Sequence, residues 1–141
     1  MGQEITWVKR MARAFFDTNI LVYLIASDVQ KADRAEALLA EGGVVSVQVL
    51  DEFVAVAIRK FGAPWNQIRQ TLAVLRSILE VCPLTIETHE RALDLAERDG
   101  WHIYDALIVA AAQMAEADIL YTEDLQSGRR VDRKLRIINP F

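Results

Sequence analysis

The chain has 141 residues and a mass of 15.9 kDa, with 52 % hydrophobic and 26 % charged residues, the composition of one folded domain and not of a disordered segment. Its formal net charge of −4 and pI near 5.2 do not advertise a nucleic-acid binder, and no apolar run approaches the roughly 18 residues of a membrane span. A single cysteine, Cys82, excludes an internal disulfide and fits a reducing cytoplasm.

Residues 1–11 read as a leader into a single domain covering 1–141. "MGQEIT" matches the myristoylation pattern, but no second anchor stands nearby, and the small-residue cleavage site of a signal peptide is missing. "RAFF" (Arg13 to Phe16) is a short apolar run that ends at Asp17 and predicts a buried strand. "TNILVYLIA" has helical length, and "SDVQKADRAEALLAE" is an amphipathic helix with Val29, Ala32, Ala35, Leu38 and Leu39 on one face, stopped by Gly42 and Gly43. "VVS" (Val44 to Ser46) predicts a second strand. "VQVLDEFVAVAIRKFG" predicts a helix ending at Gly62, and Pro64 opens another, "PWNQIRQTLAVLRSILE". "VCPLTI" is the third expected strand, followed by the helical "ETHERALDLAERDG" and the Ala-rich "YDALIVAAAQMAEA". "DILYT" and "LRIINP" complete five strands. Short apolar strands alternating with helices imply crossover connections, hence a three-layer α/β/α sandwich around a mainly parallel sheet.

In such sheets ligands collect at the carboxyl ends of the strands. Asp17 follows the first strand and Asp124 the fourth, so both belong to that edge. Asp105 opens a helix whose next seven residues are apolar, and Glu52 interrupts another helix apolar on nearly every face. Taken singly, Asp17 and Asp105 read as helix caps and Asp124 as a turn residue. Of the neighbours Asp51 and Glu52, Asp51 takes the exposed side and Glu52 the inward one. Gln48 shares the face of Glu52 four residues on. The conjunction demands more than caps, because clustered carboxylates repel one another and burial penalises their charge unless a cation offsets it. Oxygen donors without a Cys or His constellation select a hard ion, Mg²⁺ or Mn²⁺, which activates water for attack on phosphorus.

Other residues carry less. Cys82 in "EVCPLTI" reads as buried and inert, His89 as solvent-facing, and His102 as able to approach a substrate from three residues before Asp105. Trp7, Trp65 and Trp101 read as packing or interface residues. Residues 129–136, "RRVDRKLR", carry five bases and one acid, leaving −8 on the rest of the chain. That run suits either a polyanion or a solvated strand edge.

"FFDTNILVY", "SVQVLDEF", "YDALIVAAA" and "LYTEDLQSG", in this order and spacing, resemble the PIN-domain ribonucleases, and among them the VapC-type toxins of bacterial toxin–antitoxin pairs. The resemblance runs from about Ala12 to about Pro140. It implies that Asp17, Glu52, Asp105 and Asp124 hold Mg²⁺ or Mn²⁺ and cleave single-stranded or loop RNA, such as tRNA or rRNA loops. Thr18, Asn19 and Thr122 match its supporting polar positions, and Glu123 competes with Asp124 for the approach to a second ion. It also implies a homodimer and a cognate antitoxin. Arg129, Arg130, Arg133 and Lys134 are candidates to attract the RNA backbone.

Two other functions share this architecture. A phosphatase or phosphotransfer domain would want a general acid two residues after its nucleophile, where Asp17 is followed by Thr18 and Asn19. A catalytically inactive binding module would have no reason to keep four mutually repelling acids.

Overall fold

The computed structural model describes residues 12–141, so the leader, Met11 and Trp7 lie outside the described residues. Five strands and six helices alternate along them. β1 (Ala14–Phe16) leads into α1 (Thr18–Val22) and α2 (Val29–Ala40). β2 (Gly43–Ser46) is followed by α3 (Val47–Phe61) and α4 (Trp65–Ile78), and β3 (Leu79–Cys82) by α5 (Ile86–Asp99) and α6 (Ile103–Met114). β4 (Ile119–Tyr121) and β5 (Arg136–Ile138) close the chain. The sheet order is β3-β2-β1-β4-β5 and every pairing is parallel, giving an α/β sandwich. No described helix is long and apolar enough to cross a membrane.

The sheet core explains the continuous apolar runs. All three residues of β1 are buried, because the central strand has sheet on both sides and helices above and below. Phe15 and Phe16 pack with Phe53 of α3 and Leu120 of β4, all fully buried. β1 pairs with β4 from Ala14↔Ile119 to Phe16↔Tyr121, which brings Asp17 and Thr122 to the same edge.

Several expected boundaries move. The nine-residue helix after Asp17 is only five residues long, and the chain turns at Tyr23 to Ser27 before Asp28 caps α2. Val29 is 70 % exposed, so it does not join the buried face of Ala35, Leu38 and Leu39. β3 begins directly after Ile78 and ends at Cys82; the expected "VCPLTI" strand ran through Pro83, which cannot donate a ladder hydrogen bond. Cys82 is half-buried rather than buried, and burial, then the Glu80 carboxylate, pushes its thiol pKa up. That keeps it protonated and unreactive. Gly62 ends α3 in the left-handed region, φ 57°, which its missing Cβ permits.

α5 starts with a reciprocal cap: the Thr85 hydroxyl accepts from the Thr88 backbone N–H, and Thr88 Oγ1 accepts from the Thr85 N–H. Thr85→Ala is expected to lower stability by about 1 kcal/mol, measured as a shift in urea midpoint.

Candidate active site

β1 delivers Asp17 to the carboxyl edge of the sheet, where its backbone N–H donates to Tyr121 O at 3.0 Å. Its side chain caps α1, accepting from the Thr18 N–H at 2.7 Å. The other carboxylate oxygen accepts from Thr122 Oγ1 at 2.9 Å. Capping and site membership therefore coexist in one carboxylate, with one oxygen for each. Asp105 does not cap its helix: that role falls to His102, whose Nδ1 accepts from the Tyr104 N–H at 3.3 Å. Freed from the cap, Asp105 lies in the first turn of α6.

Asp51 is exposed and Glu52 is turned inward. Glu52 Oε2 accepts from Thr18 Oγ1 and Oε1 from Gln48 Nε2, both at 2.9 Å. Gln48, itself buried, also donates to Tyr104 O at 3.2 Å. One amide thus ties α3 to α6 beside the acids each contributes. Asn19 is the second strut. Its Nδ2 donates to Asp124 Oδ2 at 3.1 Å and to Thr122 Oγ1 at 3.3 Å, while its Oδ1 accepts from the Glu123 N–H at 3.0 Å.

Asp17, Glu52, Asp105 and Asp124 line one cleft of about 570 Å³. Their mutual electrostatics are those of crowded anions. Burial, and then the charges of Asp124 and Glu52, raise the Asp17 pKa to about 6 against the lowering effect of its hydrogen bonds. Burial also raises the Asp105 pKa, with His102 opposing and Asp124 and Glu52 adding to the rise.

Glu123 also lines the cleft, but its carboxylate is already engaged. It accepts from Tyr23 Oη at 2.5 Å and pairs with Lys31, while the Lys31 ammonium also lies over the rings of Tyr23 and Phe141. Against a burial penalty, these bonds leave the Glu123 carboxyl below its ordinary pKa. Of these two neighbouring acids, Glu123 is charge-paired and Asp124 has no ion pair among the described residues. Neither Lys31 nor Tyr23 stood out in the sequence, because a partner about a hundred residues away leaves no local pattern.

The basic run behaves differently from the expectation that it attracts RNA to the acids. None of Arg129, Arg130, Arg133 and Lys134 lines the acidic cleft. Arg129 stacks 4.5 Å from the centroid of the Trp101 ring. Arg130 donates to the Arg133 carbonyl. Lys134 lines a groove with Ala14, Gly43 and Ile119, at the strand starts and hence the opposite edge of the sheet. His89 is exposed, as expected, and so is His102.

As the side chains stand, no group of three or more Asp, Glu, His or Cys among the described residues is spaced to hold a metal ion. The donor chemistry nevertheless fits a hard divalent cation: five carboxylates line one cleft, Glu123 among them, with no sulfur donor in its lining, and one is buried with its charge penalised.

A doubly wound parallel sheet with an acidic cleft at its carboxyl edge defines the class. Residues 14–134 match the PIN domain family, and the chain belongs to it. Its fold is that of VapC-type toxin structures. It superposes on a toxin–antitoxin complex from Klebsiella pneumoniae with a TM-score of 0.68 at 24 % identity, covering 91 % of this chain and 98 % of that one. Mycobacterium tuberculosis VapC20, a Sarcin-Ricin loop cleaving toxin, gives a TM-score of 0.65 at 20 % identity, covering 79 % and 89 %. VapBC2 from Rickettsia felis, solved with a promoter DNA fragment, gives 0.57 at 28 % identity over 79 % and 87 %. A comparison with curated proteins returns no match.

Proposed function

We propose that the chain is a metal-dependent endoribonuclease and the toxin member of a toxin–antitoxin pair. The observation that carries this reading is the arrival of Asp17, Glu52, Asp105 and Asp124, from four separate segments, in one cleft at the carboxyl edge of the sheet. Asp17 and Asp105 would hold Mg²⁺ or Mn²⁺, with Glu52 and Asp124 acting on it directly or through water. Such an ion supplies charge neutralisation at phosphate and an activated water.

The chain's own groups prepare that chemistry. Thr122 and the Thr18 N–H fix the orientation of Asp17, Thr18 and Gln48 fix Glu52, and Asn19 restrains Asp124. Preset orientation matters because carboxylates that need no reorganisation lose nothing when charge develops on the phosphate.

The same reading assigns an RNA presented in a loop, as in tRNA or rRNA, as substrate. It also assigns a cognate antitoxin protein as inhibitor, a homodimeric state and a cytoplasmic location. Support comes from neighbours that are toxin–antitoxin assemblies. The test is mapping of RNA ends after incubation with Mg²⁺ or Mn²⁺. Wild type is expected to give defined cleavages that disappear in Asp105→Asn. Equal cleavage by both proteins would sink the assignment, and phosphate release from small phosphomonoesters without RNA cleavage would transfer it to a phosphatase.

A further inference from the structure

The acidic cleft has a second end of opposite charge. On α3, Glu52 is followed along one stripe by Ala55, Val56, Arg59 and Lys60, and all five line the same cleft. Spacings of three, four, seven and eight residues put them on one helix face. Both Arg59 and Lys60 are exposed, and neither makes an ion pair among the described residues. Phe61 lies at this end, 37 % exposed, and Tyr104 at the acidic end, 60 % exposed.

Two bases in the last turn of a helix complement its dipole wherever they point. The dipole does not require that they face the same cleft as five carboxylates, nor that the wall between acid and base be apolar. Glu52 and Arg59 are separated by about 10 Å along the helix axis, seven residues at about 1.5 Å each. One phosphate held at the acids is therefore out of comfortable reach of the bases, and the next along a strand is within it. Lys60 Nζ lies 5.8 Å over the Phe61 ring, and Tyr104, beside the His102 ring at 5.5 Å, is the more exposed ring for an unpaired base to stack on.

Resting on the nuclease reading, we infer that Arg59 and Lys60 form a phosphate subsite that holds a single-stranded RNA one or more nucleotides from the bond cut at the acidic end. The cleft then selects an extended unpaired strand over a mononucleotide or a small phosphomonoester. Arg59 and Lys60 are positioning residues and touch no reacting atom.

The experiment is cleavage of an unstructured fluorescent RNA oligonucleotide with Mn²⁺ between about 50 and 200 mM salt. Wild type, Arg59→Ala with Lys60→Ala, and the exchanged pair Arg59→Lys with Lys60→Arg are compared, with Asp105→Asn as the inactive reference. In the double alanine variant KM is expected to rise about tenfold, the loss falling on KM more than kcat. The slope of log(kcat/KM) against log salt is expected to shrink by about 0.7, the contribution of the one single-strand phosphate the pair holds. The charge-conserving exchange restores both. A slope is read on folded, active protein, so a loss of stability does not imitate it. If wild type cleaves and the alanine pair keeps its KM and salt slope, the subsite is wrong and the nuclease reading stands. If wild type cuts neither this oligonucleotide nor folded tRNA or rRNA, or Asp105→Asn cuts equally well, the nuclease reading fails and takes this inference with it; cleavage of the folded RNAs alone overturns the inference and leaves that reading standing.

Discussion

Asp17→Asn is expected to abolish RNA cleavage while making the metal-free protein more stable at neutral pH. The activity loss is set at about a thousandfold, about 4 kcal/mol, the scale of the charge stabilisation that a lost carboxylate ligand removes. The stability gain follows from the Asp17 pKa of about 6 against an ordinary 3.8. A carboxyl whose pKa is raised by folding favours the fold fully below about pH 4, and that contribution fades as pH rises through about 6. The gap corresponds to about 3 kcal/mol, and Asn cannot ionise, so it avoids the penalty. Urea melts without divalent ions should show Asn ahead of Asp by about 1–3 kcal/mol at pH 7.5 and nearly level at pH 4. An Asn variant less stable than wild type at pH 7.5 would show that burial of the Asp17 charge is not costly. Added Mn²⁺ should stabilise wild type and leave the variant unmoved, because ligand linkage requires the carboxylate.

Gly43→Ala is expected to cost about 3 kcal/mol or more. Gly43 opens β2 with φ +146°, and a Cβ there would stand 2.6 Å from Ala14 O and 2.7 Å from Phe16 Cε2. Ala14 O is backbone of the central strand, so the methyl has no flexible neighbour to push aside. Gly42→Ala is the control. It also has positive φ, 86°, but its nearest contact is 3.6 Å from Ile78 O, and its loss should be nearer 1 kcal/mol. Equal shifts in the two urea midpoints would mean that conformational strain, and not the clash, sets the cost.

Much of the architecture was legible because apolar runs in a parallel sheet are unbroken and helices carry their own stops. "RAFF" followed by an acid placed Asp17 directly after β1, as observed, and set the strand's start one residue early. The inward Glu52 and outward Asp51 followed from helical geometry alone, as did the Gln48–Glu52 pairing now seen as a 2.9 Å hydrogen bond. What could not be read depends on contacts distant in sequence. Nothing in "TNILVYLIA" announces that Tyr23 will leave the helix, but its hydroxyl bonds Glu123 and its ring meets Phe141 edge-on. The cap on α6 went to His102 because Asp105 stands two residues into the helix, too late to cap it. Charge density in "RRVDRKLR" revealed the number of bases but not their direction, since that segment carries the chain toward the start of β5, at the far edge of the sheet. Arg59 and Lys60 were visible only as a helix end.

The order β3-β2-β1-β4-β5 also has a temporal meaning. As the chain emerges in sequence, its first three strands can pair, but one side of β1 stays open until β4 appears. Until then Asp17 lacks the backbone carbonyl of Tyr121 and the hydroxyl of Thr122, and Asp124 does not yet exist. A growing chain therefore carries three of the four acids before Tyr121 and Thr122 arrive to complete the orientation of Asp17. Chemistry of the proposed kind would switch on only after residue 124 has been made, late in the synthesis of the domain.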